Sequence, residues 1–359
     1  MTRVSVNEML KLRLASQLLA QSEQRTPREI VTWLGAMQAQ DVESGHWSIG
    51  VRGADLKRSE VVQACEDRSI LRTWPMRGTI HFVPAVDAAW MLQLTGVRAL
   101  AGAAGRRRQL ELDDNTLKRA VNALSAALYG RRLTRAECIE VFEGAGISPT
   151  GQRGYHLLWH AAHLGVTCIG PQQGKQQTFV LLNEWVPNPR QLERDDALTE
   201  LAIRYFQSHG PATRQDFARW TGLTLSDADR AIEGAKKLLT AVDVDGTPSF
   251  MSTVVLDSVF DRGDDIVLLP GFDEYVLGYK DRSLFIDPAH ASKIVPGNNG
   301  VFLPTMVERG HVIGTWKRNQ RPKKTPDIAL SGFNPLTANQ RARTEAAVDR
   351  YGSYLDAME

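Results

Sequence analysis

Hydrophobic and polar positions repeat in a similar order at three places along the chain. At Thr26, Thr134 and Thr213, a threonine is followed three residues later by an acid, and then by an apolar run and glycine. This spacing predicts a capping box, in which the threonine hydroxyl accepts a hydrogen bond from an orphan backbone N–H and the acid reaches back to the cap. The three short helices predicted to begin here are expected to end at Gly35, at Gly144 or Gly146, and at Gly222.

Each short helix is followed by a second helical pattern and then by two strand-like runs. The helical patterns are "RSEVVQACEDRSI", "QRGYHLLWHAAHLG" and "SDADRAIEGAKKLL", the last with Ser226 as its expected cap. The hairpin turns are predicted near Met76-Arg77-Gly78, in the tip "PQQGKQQ" (171–177) and at Asp245-Gly246. The order helix, short helix, helix and hairpin is that of a winged helix-turn-helix, whose hairpin is the wing.

The last third of the chain has a different pattern. The segments "DIVLLPGFDEYVLGY", "NGVFLPTMVE" and "GHVIGTWKR" are β-rich with glycine turns, and "TANQRARTEAAVDRYGSYLDAM" predicts a closing helix. We therefore predict an α+β fold of three tandem winged helix-turn-helix units followed by a mostly antiparallel, β-barrel-like domain. The expected boundaries are 1–110 for the first winged helix, 111–189 for the second, 190–252 for the third, and 253–359 for the C-terminal domain.

Composition places this organisation in an ordinary globular protein. The 359 residues are 43% hydrophobic and 23% charged, with a net charge of +2. No apolar run is long enough to span a bilayer and no signal peptide is evident, so we expect a cytoplasmic, nucleoid-associated protein without membrane contact. The cysteines Cys65, Cys138 and Cys168 form neither a disulfide framework nor a zinc pattern. No metal and no cofactor are expected.

Basic residues are clustered although the net charge is small. The clusters are Arg106, Arg107 and Arg108; Arg131, Arg132 and Arg135; and Lys317, Arg318, Arg321, Lys323 and Lys324. Such clusters can bind phosphates, and a solvated surface is the alternative for each. The helices of the first and third units mix acids with bases, which does not suit base readout. The helix of the middle unit is richer in contact residues, with Gln152, Arg153, Tyr155, His156 and His160.

Two glutamines stand at the foot of the first short helix, in the stretch "LGAMQAQD". Side chains two residues apart point about 200° apart on a helix but share a face on extended backbone. If Gln38 and Gln40 act on one target, this segment must therefore have left the helix, with Ala39 facing inward. The next residues, Gly45-His46-Trp47, are expected to form a turn or strand. The alternative is that both glutamines are surface residues or bond within the domain.

Over nearly its full length the chain resembles the winged-helix DNA glycosylases that excise bulky N7-alkylguanines and unhook interstrand crosslinks. The matching segments are Gln38-Ala39-Gln40-Asp41, "LRTWPMRGTIHFV" (71–83), "LLPGFDEYVLGYKDR" (268–282) and "GTWKR" (314–318). Members of this family carry a Gln-apolar-Gln or Gln-apolar-Asp catalytic motif. The resemblance implies that Gln38 and Gln40 are catalytic here, while Asp41 lies one residue beyond the aspartate position and is a possible neighbour of the site.

The chemistry implied by the resemblance suits neutral side chains. An N7-alkylated guanine is already cationic and leaves without protonation, so no strong general acid is needed. A glutamine carbonyl can accept a hydrogen bond from water and fix its direction, and its amide can hold a second group. We assign Gln40 to positioning water, and Gln38 to orienting the same water or contacting the sugar. The order of the two roles stays open.

Other residues are candidates for contacts with DNA, each with a structural alternative. Arg77 either contacts phosphate or ties the wing to the core, and His81 is either a buried structural residue or a neighbour of the site. Candidate DNA-binding residues are Arg77, Arg131, Arg132, Arg153, Gln172, Gln173, Lys175, Lys317 and Arg318. We interpret the charge-dense stretch Asp273, Glu274, Asp281 and Arg282 as a structural set of salt bridges.

The function predicted from these features is hydrolysis of the N-glycosidic bond of cationic N7-alkylguanine lesions and crosslinks. The enzyme is expected to be a monofunctional DNA glycosylase that binds double-stranded DNA as a monomer. The alternative is a non-enzymatic winged-helix transcriptional regulator. A regulator does not need the glutamine pair, and it would bind a specific sequence without releasing any base. A third reading, less favoured, is an inactive architectural DNA-binding protein.

Overall fold

The computed structural model describes residues 2–20, 23–256, 265–319 and 327–355. Its strands are β1 (Thr2–Val4), β2 (Met37–Gln38), β3 (Ile70–Met76), β4 (Thr79–Pro84), β5 (Leu133–Thr134), β6 (Thr167–Gln173), β7 (Gln176–Leu181), β8 (Leu239–Val244), β9 (Thr247–Ser252), β10 (Ile266–Leu269), β11 (Thr305–Glu308), β12 (His311–Arg318) and β13 (Ile328–Gly332). The helices along the same residues are α1 (Val6–Ser16), α2 (Pro27–Leu34), α3 (Val42–Gly50), α4 (Arg58–Glu66), α5 (Ala88–Gly102), α6 (Ala104–Gln109), α7 (Asp114–Leu128), α8 (Arg135–Gly144), α9 (Arg153–His163), α10 (Leu182–Trp185), α11 (Arg194–His209), α12 (Arg214–Thr221), α13 (Leu225–Ala235), α14 (Thr253–Leu256), α15 (Glu274–Leu277), α16 (Ala291–Ile294) and α17 (Ala338–Leu355). Short 3₁₀ turns cover Ala85–Asp87, Pro288–His290 and Pro296–Asn298.

The predicted helix starts are confirmed. Thr26 caps α2 and Thr134 caps α8, each in a reciprocal capping box with the acid three residues on. Thr213 and Asp216 form the same reciprocal pair of bonds before α12. The Asp216 N–H donates to the Thr213 hydroxyl at 3.1 Å, and the Thr213 N–H donates to the Asp216 carboxylate at 2.9 Å. The predicted cap of α13 is wrong. Thr224, not Ser226, is the cap: its side chain accepts a hydrogen bond from the Asp227 N–H, and the helix begins at the residue after Thr224.

The three predicted segments show the expected order of elements, with one addition. Helices α7, α8 and α9 precede the hairpin β6–β7, and α11, α12 and α13 precede β8–β9. In the first segment α1, α2 and α4 precede β3–β4, but the extra helix α3 stands between α2 and α4. Gly45-His46-Trp47 therefore lies in a helix, which corrects the turn or strand predicted there. Asp41 is the cause, because its carboxylate caps α3 and starts the helix directly after the glutamine motif.

Contacts between residues divide the chain into two compact units. These units do not coincide with the four predicted domains, and the boundaries of those domains stay a prediction. The first unit comprises Met1–Val61, Leu198–Trp220 and Thr224–Glu359, and the second comprises Val62–Ala197 and Thr221–Leu223. Along the described residues, no helix combines the length and the apolar character needed to cross a membrane.

Two sheets belong to the first unit. Strands β1, β8 and β9 form one, in which β1 runs parallel to β8 and the hairpin β8–β9 turns at Asp245-Gly246, both with positive φ as a tight two-residue turn requires. Strands β10, β11, β12 and β13 form an antiparallel sheet in that order, and the predicted closing helix is present as α17, packed against β10. The barrel-like part of the prediction is not confirmed. Strands β10 and β13 stand at opposite ends of the order, and no pairing among the described residues closes the sheet.

The second unit contains the other two hairpins in one antiparallel arrangement, with strands in the order β4, β3, β6, β7 and β5. Every residue of β3 is buried, as expected for a strand covered on both faces. Its turn to β4 is Arg77-Gly78, again with two positive φ angles. Helices α5 and α9 pack against β3, which holds the hairpin in place.

Candidate active site

The backbone at the glutamine motif is not helical. Helix α2 ends at Leu34 because Gly35, with φ of 75°, stops it, and the chain then runs through the short strand β2. Ala39 is fully buried, as predicted, while Gln38 is 9% exposed and Gln40 is exposed. The backbone has left the helix, as a shared target for residues 38 and 40 requires, but the strand ends at Gln38 and Gln40 lies at a bend. One residue of the pair is therefore exposed and the other is largely buried.

The backbone of this motif is held by a residue that the sequence analysis did not assign to the site. Glu274 is fully buried, and its Oε1 accepts a hydrogen bond of 2.7 Å from the backbone N–H of Gln38. Its Oε2 accepts from the indole N–H of Trp220 at 2.8 Å. The segment "GFDEY", which carries part of the family resemblance, was the available signal. From the sequence alone, its acids are predicted only to be salt-bridge partners.

The neighbouring Asp273 does form the salt bridge that was predicted for this stretch. Both of its carboxylate oxygens accept from Arg52 at 2.8 Å, and both side chains are fully buried. Arg52 also donates to the backbone and side-chain oxygens of Gln17 and Ser48. The Asp281 carboxylate instead accepts hydrogen bonds from the backbone N–H and the hydroxyl of Ser283, and Arg282 donates to the Val276 carbonyl.

Charged side chains cluster on α3 close behind the motif. Asp41 is exposed, and its carboxylate accepts from the Ser44 N–H at 2.7 Å, so its observed contact is that of a helix cap. Glu43 accepts two hydrogen bonds from the Arg58 guanidinium, at 2.9 and 2.5 Å. Partial burial raises the pKa of Glu43, but the bonds to Arg58, the neighbouring His46 and the charges of Arg58 and Arg318 outweigh it and keep the pKa below its usual value.

The basic residues of β12 lie at its exposed end. Lys317 and Arg318 are both exposed, while the preceding Trp316 is buried and its indole N–H donates to the Leu269 carbonyl at 2.7 Å. Strand β12 thus anchors two cations at the surface of the unit that carries the glutamines. The other members of this predicted cluster, Arg321, Lys323 and Lys324, lie outside the described residues.

In the second unit, Arg77 and His81 are joined to each other. Arg77 is exposed at the tight turn, and its Nη2 lies 3.3 Å from Nε2 of His81. His81 is fully buried, and its Nδ1 lies 2.9 Å from the Thr79 carbonyl oxygen. These contacts agree with the structural alternative for His81. Arg77 still presents an exposed cation at the tip of the β3–β4 hairpin.

The predicted DNA-binding arginines of the middle segment differ in their surroundings. Arg131 is exposed, and Arg132 is exposed with a contact of 3.3 Å to Glu66. Arg153 is half-buried and donates to the carbonyls of Ser148, Leu110 and Glu111. Its guanidinium therefore joins the start of α9 to the segment before α7, which leaves Arg131 and Arg132 as the more accessible cations.

The tip of the β6–β7 hairpin is shorter than the polar stretch predicted from sequence. The strands continue to Gln173 and resume at Gln176, so that only Gly174 and Lys175 form the turn. Gln173 and Lys175 are exposed, and Gln172 is half-buried. No group of three or more His, Cys, Asp or Glu side chains suited to hold a metal ion occurs within the described ranges.

Comparison with known proteins assigns the family. A family model described as DNA glycosylase AlkZ-like matches residues 31–354. The chain belongs to the AlkZ-like DNA glycosylase family. The interstrand DNA cross-link repair glycosylase of Streptomyces sahachiroi is 26% identical over 332 residues, which cover 88% of this chain and 88% of that protein. The solved structure of the Streptomyces sahachiroi DNA glycosylase AlkZ has a TM-score of 0.82 at 24% identity, over 99% of this chain and 98% of that one, and it shows the fold.

These findings confirm the coarser predictions. Membership in the AlkZ-like family makes the chain an enzyme of the DNA glycosylase class with DNA as its substrate, and it gives no support to a transcriptional regulator. The solved structure confirms a mixed α+β fold with antiparallel sheets. The roles of Gln38 and Gln40 and of the basic residues stay predictions.

Proposed function

We propose that this chain is a monofunctional DNA glycosylase that hydrolyses the N-glycosidic bond of cationic N7-alkylguanine, both in single lesions and in interstrand crosslinks. The observation that carries the proposal is the exposed residue Gln40, on non-helical backbone next to the buried Ala39, in a chain of the AlkZ-like family. The Streptomyces sahachiroi relative is an interstrand DNA cross-link repair glycosylase, which supports the substrate class.

In the proposed mechanism the substrate provides the leaving-group activation. The positive charge on the alkylated guanine weakens the bond to the anomeric carbon, so that the enzyme has to direct water and stabilise an oxocarbenium-like sugar. Gln40 accepts a hydrogen bond from that water through its carbonyl oxygen. Gln38 orients the same water or the sugar. Holding reactants in a near-attack geometry can supply a large part of the barrier reduction without any strong base.

In this proposal, DNA is bound by three winged helices, which correspond to α1–β4, α7–β7 and α11–β9. The duplex is held through shape and phosphates rather than through base readout. Exposed cations that fit this role are Arg77, Arg131, Arg132, Lys175, Lys317 and Arg318. Because one chain carries three such units, we propose that it acts as a monomer on double-stranded DNA.

The test is single-turnover release of N7-methylguanine from a duplex, read as alkali-labile abasic sites above the no-enzyme background. Gln40→Ala is expected to slow release by about tenfold or more, the range attributed to a well-placed catalytic contact, with duplex affinity kept. The matched control is Gln63→Ala, which removes an exposed glutamine bonded to Asp67 and should change neither quantity. Unchanged release by both Gln38→Ala and Gln40→Ala would refute the proposal. Strand breaks that form without alkali or heat would refute the monofunctional assignment.

A further inference from the structure

The carboxylate of Glu274 lies directly against the backbone that carries the glutamine pair. It is fully buried, and it reaches the Gln38 N–H through Oε1 at 2.7 Å and the Trp220 indole through Oε2 at 2.8 Å. A buried carboxylate is costly unless hydrogen bonds satisfy it, and bonds to a charged acceptor are about twice as strong as neutral ones. We propose that Glu274 is a positioning residue for Gln38 and Gln40, and that its negative charge is required for base release.

The contact acts on the strand that ends at Gln38, two residues before Gln40. Gln38 is the last residue of β2, so its peptide N–H fixes where the strand ends and where Ala39 turns inward. A displacement of about 1 Å at a reacting group can cost about 100-fold in rate. One strong bond to this peptide can therefore control a reaction in which the amides themselves only place water.

Glu274 is itself held rigidly within the first unit. It occupies the first position of α15, whose cap Asp273 is bound on both oxygens by the buried Arg52. On its other side, His209 Nε2 lies 3.6 Å from Glu274 Oε2. The His209 ring packs closely against the Gly278 backbone, because a Cβ at position 278 would stand 2.3 Å from His209 Cδ2. The carboxylate is thus fixed before any substrate binds.

The charge of this cluster has the sign that the proposed reaction favours. The charges of Arg52 and Asp273 balance each other in their ion pair. Burial lowers the pKa of His209, which keeps its ring neutral near pH 7. Both oxygens of Glu274 accept hydrogen bonds from N–H donors, which favours the ionised carboxylate, so these four side chains carry a net negative charge. A fixed negative charge stabilises positive charge that develops on a sugar in the transition state.

This inference rests on the proposed function, and its experiment uses the same full-length protein and the same N7-methylguanine duplex. Glu274→Gln keeps the shape but removes the charge, and its amide can meet the Trp220 N–H as a second donor. The double variant Glu274→Gln with Trp220→Phe removes that donor conflict. Both are expected to release base about 10- to 100-fold more slowly than wild type at saturating enzyme, while the Kd for an undamaged duplex stays within about twofold.

The matched control is Glu308→Gln, which neutralises another largely buried carboxylate of the same unit, paired with Arg343 and Gln340. It should keep the wild-type rate at temperatures well below its unfolding transition. Recovery of the wild-type rate in the double variant, or a wild-type rate in Glu274→Gln itself, would overturn the role of the charge. Gln40→Ala separates the two ideas. If Gln40→Ala is slow while Glu274→Gln is fast, only this inference fails, and if Gln38→Ala and Gln40→Ala are both fast, the proposed function fails.

Discussion

Neutralising Asp273 should destabilise the protein far more than an ordinary loss of an ion pair. Arg52 is fully buried, and both of its terminal nitrogens bind the two oxygens of Asp273 at 2.8 Å. In Asp273→Asn the side chain keeps its shape, but the guanidinium stays buried without an opposite charge. Breaking a buried pair in this way costs about 3–5 kcal/mol, out of a typical total stability of about 5–15 kcal/mol.

The matched control for this prediction is Glu43→Gln, which removes the partner of Arg58. The Glu43 side chain is 51% exposed, so water replaces the lost contact and the cost should stay below about 1 kcal/mol. A second comparison is the double variant Arg52→Met with Asp273→Leu. It removes both charges and should recover a large part of the stability lost by Asp273→Asn, because no unpaired charge remains.

The assay is urea unfolding followed by tryptophan fluorescence, to which the buried Trp47, Trp220 and Trp316 of the first unit contribute. Free energies of unfolding are compared for wild type, the two single variants and the double variant. A loss of less than about 1 kcal/mol in Asp273→Asn, equal to that of Glu43→Gln, would refute the reasoning from burial.

Three further predictions concern local features. Thr134→Ala should lower the free energy of unfolding by about 1 kcal/mol in urea titrations, because it removes a capping box, and no change would contradict the role of the cap. Burial lowers the pKa of His160 and His163 to about 4, so these side chains take up protons at a higher pH in the unfolded chain than in the folded one. The stability that they contribute above about pH 6.5 is therefore lost as the pH falls towards 4. His163→Gln should reduce the drop in unfolding midpoint between pH 7 and pH 5, and an undiminished drop would count against this origin. In urea titrations, Gly278→Ala should lower the free energy of unfolding by about 1–3 kcal/mol through overpacking, whereas Gly102→Ala, with no atom within 4 Å of its Cβ position, should not destabilise the protein.

Features that depend on neighbouring residues were predictable from the sequence. The Thr26, Thr134 and Thr213 caps each involve an acid three residues away, and the turns at Arg77-Gly78 and Asp245-Gly246 need only a backbone that accepts positive φ. Helix α3 was missed because its cap, Asp41, was considered as a neighbour of the site rather than as the start of a helix.

Contacts between distant segments were not predictable from spacing. Gln38 and Glu274 are 236 residues apart, and Arg52 and Asp273 are 221 apart. Nothing in the local pattern of "GFDEY" separates the acid that pairs with an arginine from the acid that binds a backbone N–H. The two roles follow from the cap of α15, which directs Asp273 and Glu274 to different partners.

Comparing leaving groups tests the central claim most directly, namely that two neutral amides suffice when the purine is already cationic. Single-turnover base release is measured on matched duplexes that carry either N7-methylguanine or hypoxanthine at one position, with wild type and Gln40→Ala. We predict rapid release of the cationic base by wild type, a decrease of at least about tenfold in Gln40→Ala, and no release of the neutral base by either. Equal release of the two bases, or release of N7-methylguanine that does not depend on Gln40, would contradict the claim.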